Sequence, residues 1–238
     1  MHARRITSAI LALASIALIS ACDDDDDPIG TGDDNTTVRF FNATTGGLSL
    51  DIAENGTVGT GNSNVAFGAS SGCTRVSDSN PQLAIRPAGA TTSLPGFVTA
   101  FSSGGTYTVL VTGTQSAPVF TTLNDQFTTP GSGNAAVRII NATSSATTGA
   151  GNWDIYVNPG TSVTAPNAAS IGRNMASSYL TVPAGQANTI RLTNTGSTTA
   201  LQTISVPSLT AGSVRTIVVT DAATGSTALR TTTLEPCT

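Results

Sequence analysis

Reactive side chains are few in this sequence, and their types restrict the chemistry before any fold is considered. The only histidine is His2, lysine is absent, and the cysteines are Cys22, Cys73 and Cys237. Past the first residues no imidazole remains, which excludes Ser-His-Asp and Cys-His nucleophile systems and histidine-ligated zinc or iron. Without lysine, the glycines at 59–61 and 131–133 cannot complete a phosphate-binding loop. Paired carboxylates for sugar hydrolysis must face each other across about 5–10 Å, and Asp51, Glu54, Asp78 and Asp125 show no spacing that suggests this. Asp78 and Asp221 are candidate calcium-loop acids, but no Asp-x-Asn-x-Asp-Gly loop surrounds them. The expectation is a chain that is not an enzyme, with no cofactor and no metal site.

Cys22 has the clearest assignment. His2, Arg4 and Arg5 precede an apolar run from Ile6 to Ala21, the layout of a secretory signal. The run is shorter than the roughly 20 residues needed to span a bilayer. It ends Ile19-Ser20-Ala21-Cys22, which resembles a bacterial lipobox. That resemblance implies cleavage before Cys22 and acylation of it; the other reading is an ordinary signal peptide that leaves Cys22 as a free thiol. More than one acyl chain gives stable anchoring. Asp23 to Asp27, Asp33 and Asp34 then form a self-repelling, hydrated tether. The expected location is the cell envelope, lipid-anchored, with the outer membrane or cell surface favoured over the inner membrane. Cys73 and Cys237 remain as a pair outside the cytoplasm, where a disulfide is expected; two free thiols are the other reading.

Once the leader is removed, eight arginines stand against fourteen acids, but from Asn35 onward the balance is eight against seven. The acidity belongs to the tether and the rest is nearly neutral. No basic patch is available to neutralise several phosphates, so nucleic acid is not an expected partner.

The positioning elements occur twice. Val38-Arg39-Phe40-Phe41-Asn42-Ala43-Thr44 reappears as Val137-Arg138-Ile139-Ile140-Asn141-Ala142-Thr143, and Leu50-Asp51-Ile52 as Trp153-Asp154-Ile155. Phe67-Gly68 returns as Ile171-Gly172, Ala84-Ile85-Arg86 as Thr189-Ile190-Arg191, and Tyr107 to Gly113 as Arg215 to Asp221. The offset grows steadily along the chain, as loop insertions in the second copy would produce. Period-two alternation, as in Trp153, Ile155 and Val157 against Asp154 and Tyr156, signals half-buried strands. Strands are expected near 37–43, 48–53, 65–68, 83–87, 97–101, 105–112 and 118–123. A second set is expected near 136–142, 152–158, 178–182, 187–194, 201–206, 213–220 and 227–234. The best helix candidate, 165–178, is weakened by Pro166 and Gly172.

These motifs give the equivalent acids and bases two readings. Asp51 with Arg39, and Asp154 with Arg138, are ligand-binding pairs or solvated cross-strand ion pairs, with the second favoured. Trp153, Tyr156 and Tyr179 are a candidate carbohydrate platform or ordinary packing. Asn35, Asn42, Asn55 and Asn141 begin glycosylation-type triplets that read as coincidence in a threonine-rich chain.

The repeated opening strand with Asn-Ala-Thr, the Trp153 to Asn158 strand, the Val182-Pro183-Ala184-Gly185 turn and the strands at 105–113 and 212–221 resemble a bacterial domain family of unknown function numbered 4397. The resemblance covers about 36–234 and implies tandem β-sandwich units and an envelope location, with no catalytic residues. The expected class is all-β, two tandem immunoglobulin-like or fibronectin-like antiparallel β-sandwich domains. The expected organisation is a lipoprotein signal at 1–21, a lipidated cysteine and acidic tether at 22–35, domains at 36–127 and 135–238, and a linker at 128–134. The expected function is a non-catalytic binding, adhesion or assembly module. Its partners are the membrane, through the anchor, and a glycan or envelope protein. The alternative is a carbohydrate-binding lipoprotein acting beside polysaccharide-processing proteins.

Overall fold

Alternating apolar residues and Gly, Asn and Pro punctuation produce strands throughout. This computed structural model describes residues 36–76, 82–97, 101–144, 151–160, 165–221 and 229–237. The leader, Cys22, the acidic tether, Asn35 and Asp78 lie outside the described residues, as do parts of the strands expected at 97–101 and 227–234.

The first half contains β1 (Thr36–Asn42), β2 (Leu50–Glu54), β3 (Thr57–Val58), β4 (Thr74–Val76), β5 (Leu83–Pro87), β6 (Thr106–Gly113) and β7 (Pro118–Asn124). The second contains β8 (Asn134–Ala142), β9 (Trp153–Val157), β10 (Ala168–Ile171), β11 (Met175–Ala176), β12 (Leu180–Pro183), β13 (Asn188–Asn194), β14 (Ala200–Val206), β15 (Val214–Thr220) and β16 (Arg230–Leu234). The described residues contain no helix. The helix candidate at 165–178 is instead β10, β11 and the turn between them. Ser170 and Asn174 sit at φ of 54° and 59°, which interrupts any right-handed helix.

Each half has two sheets. The first half pairs β4-β1-β6-β7 in one and β3-β2-β5 in the other. The second pairs β11-β8-β15-β16, with β12 also on β8, and β10-β9-β13-β14. The expectation of purely antiparallel sheets needs correction. β1 runs parallel to β6 and β8 parallel to β15. Parallel neighbours need a crossover, and here the chain makes it through strands of the other sheet of the same half, returning on the way to lay β4 beside β1, or β11 and β12 beside β8. Period-two patterning sets which face is buried and carries no information about strand direction.

Alternation along β1 and β8 divides the cores. Val38 and Phe40 join Leu50, Ile52, Ile85, Val109 and Val111 in the first half's core. Val137 and Ile139 join Trp153, Ile155, Ile190, Leu192, Ile217 and Val219 in the second's. The residues between them point the other way. Phe41 and Leu110 from the first half meet Ile140, Val218 and Leu234 from the second in a third apolar cluster. The β1–β6 and β8–β15 sheets therefore face each other across a seam. Their central strands are buried on both faces, which explains continuous apolar runs such as Phe40-Phe41 and Ile139-Ile140.

The repeated Asn-Ala-Thr holds the end of each opening strand. The Oδ1 of Asn42 accepts from the backbone N and hydroxyl of Thr44, and its Nδ2 donates to the carbonyls of Leu48 and Val65. Asn141 does the same with Thr143 and with the carbonyls of Gly151 and Ile171. Both asparagines are fully buried, so these triplets are strand-end clamps with no room for a glycan.

Candidate functional site

The seam also holds a cluster of three buried charges, Arg39, Asp125 and Arg138. Arg39 leaves β1 and Arg138 leaves β8 on the seam-facing side, and both reach Asp125 just past β7. The Nη2 of Arg39 lies 3.2 Å from Asp125 Oδ2, and Arg138 pairs with Oδ1. All three side chains are at most 5% exposed. Thr108 Oγ1 donates to Asp125 at 2.5 Å and accepts from Arg39 Nε at 3.1 Å. Burial pulls the Arg39 guanidinium below its ordinary pKa, opposed by Asp125; arginine nonetheless stays charged.

Strand register shows that this cluster is built on repeated positions. Arg39 lies opposite Thr108, and Arg138 opposite Thr216. Thr108 in turn faces Leu123, and Thr216 faces Leu234. Asn124 and Glu235 are thus equivalent, as are Asp125 and Pro236. Each arginine donates to the carbonyl at the other half's strand end: Arg39 to Glu235 at 2.5 Å, Arg138 to Asn124 at 2.7 Å. Only the first half supplies a carboxylate.

The flanking strands follow the same logic. Val38 pairs with Thr74 and Val137 with Leu180, so Cys73 and Tyr179 occupy equivalent positions. Cys73 forms a disulfide with Cys237. The Tyr179 hydroxyl donates to the Asp125 carbonyl at 3.1 Å, and the Arg138 guanidinium lies 4.9 Å from the centre of its ring. Burial pushes the Tyr179 phenol above its ordinary pKa, with Arg138 opposing.

The expected Arg39–Asp51 and Arg138–Asp154 pairs do not form. Asp51 accepts from the backbone amides of Asn64 and Gly89, each at 2.7 Å. Asp154 accepts from those of Ser170 and Gly196 at 2.9 and 3.0 Å. Both are loop clamps on the outer sheets, while the arginines face the seam. Residue type alone placed opposite charges on neighbouring strands; their sheets differ.

Trp153, Tyr156 and Tyr179 do not share a surface either. Trp153 is fully buried in the second half's core and Tyr156 is 7% exposed on the other face of β9. Arg191 lies over the Tyr156 ring at 5.3 Å. Of the three, Tyr179 lines a cleft, and its ring partner there is Phe127, which no sequence pattern singles out. Asp221 accepts from the Ser144 amide. Among the described residues no group of three His, Cys, Asp or Glu is placed to hold a metal.

Two clefts border the 126–128 segment. One, of about 540 Å³, is lined by Arg39, Asp125, Thr216 and Cys237 among others. The other, of about 620 Å³, is lined by Arg138, Asn124, Ser177 and Thr181 among others. Gln126, Phe127, Thr128 and Tyr179 border both. Phe127 is 40% exposed between them.

No curated protein matches the chain. A family model described as a domain of unknown function, DUF4397, matches residues 36–148, a stretch that runs from β1 past β8. One DUF4397 domain, at residues 36–148, is thereby identified in the chain.

Proposed function

We propose that the chain is a non-catalytic cell-envelope lipoprotein, anchored through Cys22, whose two halves act as one rigid binding or assembly block on an acidic tether. The observation that carries this reading is the use of the buried charges. Asp125, Arg39 and Arg138 are consumed in joining the halves. The disulfide crosses the same seam, which favours an oxidising compartment. The equivalent registers of β1 with β6 and β8 with β15 support a tandem of two-sheet units. The immunoglobulin- or fibronectin-like assignment extends only to a two-sheet unit, because a parallel pair lies at the centre of one sheet in each half.

Carbohydrate binding is the second reading. The pairing of Phe127 with Tyr179 beside a polar cleft favours it, since sugars stack on aromatic faces while polar groups fix their hydroxyls.

The anchor is tested by expressing the chain with its own leader in a bacterium and measuring intact mass with and without globomycin. A globomycin-sensitive, triacylated product beginning at Cys22 is expected. Unacylated protein in the medium would contradict the reading.

A further inference from the structure

The edge of a sheet presents unpaired backbone donors and acceptors, and folded chains blunt it with short strands, proline, charge, bulges or a cover. The described edges are blunted in these ways, with one exception. β3, β4 and β11 are only two or three residues long. β5 ends at Pro87, and its Ile85 carbonyl accepts from the Leu94 amide. β7 starts at Pro118, and its Asn124 carbonyl accepts from Arg138. β10 is interrupted by Ser170 at φ 54°, and β12 ends at Pro183. β16 opens with Arg230, whose guanidinium lies 5.9 Å from the centre of the Phe67 ring, and its Thr232 hydroxyl donates to the Gly68 carbonyl.

The exception is β14. It is seven residues long, Ala-Leu-Gln-Thr-Ile-Ser-Val, with no charge, proline or glycine. It closes the order β10-β9-β13-β14 and pairs with β13 alone. Among the described residues no other backbone group bonds to it. A bulge is confined to its start, and Gln202 to Val206 pair with Leu192 to Asn188 in unbroken register. Ile204 and Val206 are buried in the second half's core and hold the strand in place, while Thr203 and Ser205 are exposed.

We propose that β14 is a self-association edge, which pairs antiparallel with β14 of a second copy so that the outer sheets of the two second halves become one. Main-chain bonds of this kind join an added strand to an open edge, and a twofold axis lets one edge serve both copies. Charge selects a second copy as the occupant. β14 itself is uncharged, and from Asn35 onward eight arginines stand against seven acids, so neither the strand nor the folded body repels its own copy. Pairing about the middle of Gln202 to Val206 brings Thr203 of one copy beside Thr203 or Ser205 of the other, and hydroxyl pairs across strands are favourable. This names a partner for the assembly reading and rests on that reading, but it does not need the lipid anchor, which has its own test.

The test is sedimentation of the purified full chain over a concentration series, beside Thr203→Lys, Thr203→Glu and an equal mixture of the two variants. The wild type forms dimers. Each variant alone dimerises at least about tenfold more weakly, because like charges meet across the pair. Their melting temperatures under dilute conditions match the wild type, since Thr203 is exposed. The mixture dimerises again, because lysine then faces glutamate. A wild type that stays monomeric at about 1 mM, where even a weak pairing of about 4 kcal/mol is populated, would overturn the proposal and leave the edge to a strand from another protein. Dimers indifferent to either charge, or a mixture that does not recover, would also overturn it by placing the interface elsewhere.

Discussion

Cys73 and Tyr179 occupy the same place in the two halves, one residue before the short strand beside β1 or β8, and cross the seam by different chemistry. Cys73 makes a covalent bond to Cys237. Tyr179 makes a hydrogen bond to the Asp125 carbonyl and stacks under Arg138. The same divergence separates Asp125 from Pro236. Positions that build each half are matched: the Asn42 and Asn141 clamps, and Ser71 and Ser177, whose hydroxyls accept from the Phe40 and Ile139 amides. Positions that join the halves have specialised. One side is fastened by a disulfide and the other by a carboxylate, a phenol and two guanidiniums.

Removing the covalent fastener has the largest expected effect. The loop it closes spans a sequence separation of 164, and chain entropy gives about 5 kcal/mol for a loop of that size. Cys73→Ser in denaturant melts should approach that loss, and reductant should reproduce it in the wild type. A loss below about 1 kcal/mol would show that the Cys73 side of the seam is held by packing instead.

Asp125→Ala attacks the other side. It leaves two buried guanidiniums facing each other, and breaking a buried pair in this way costs about 3–5 kcal/mol. Glu235→Ala sharpens the contrast, because that side chain is 68% exposed and its pair with Arg215 is of the surface kind, worth under about 1 kcal/mol. Equal losses in the two variants would contradict the assignment of Asp125 as the keystone.

Tyr179→Phe removes only the hydroxyl and should cost about 1 kcal/mol. Its raised pKa adds a pH signature. Folding favours the neutral phenol, so that contribution is complete below the ordinary phenol pKa and is lost as pH rises through the raised value. The gap in stability between wild type and Tyr179→Phe should narrow in strong alkali.

The smallest effect concerns a matched position. Burial alone would raise the Asp154 carboxyl, but the amides of Gly196 and Ser170 and the Thr195 hydroxyl outweigh it and hold the group below its ordinary pKa. A lowered carboxyl stabilises the fold fully above the ordinary value of about 4, and that contribution is lost as pH falls through the lowered one. Melting temperatures of Asp154→Asn and wild type should differ at neutral pH and converge on acidification.

Strand positions were largely legible because half-buried strands alternate. β5 and β13 fall where the pattern placed them, and the Val38 to Thr44 repeat marks equivalent strands. Strand 65–68 reduces to a bridge between Leu50 and Val65, since Asn64 and Gly68 on either side take positive φ and turn the chain out of extended conformation. The seam was encoded in a signal of another kind. Strands β1 and β8 are apolar on successive residues because both faces are covered, and the arginines interrupting them face a second core. That pattern says a partner layer exists without naming it. Asp125 lies on an unremarkable loop, and its role depends on two strands brought together from different halves. The Cys73–Cys237 pair was accessible from cysteine count, while the place of Tyr179 required the register.

The central claim is that the two halves form one block keyed by Asp125. The direct measurement is denaturant unfolding in reductant, followed both by Trp153 fluorescence in the second half and by hydrogen exchange of β1 and β6 in the first. The account predicts coincident transitions in the wild type and two separated transitions in Asp125→Ala. Separate transitions in the wild type, or coincident ones in the variant at unchanged stability, would contradict it.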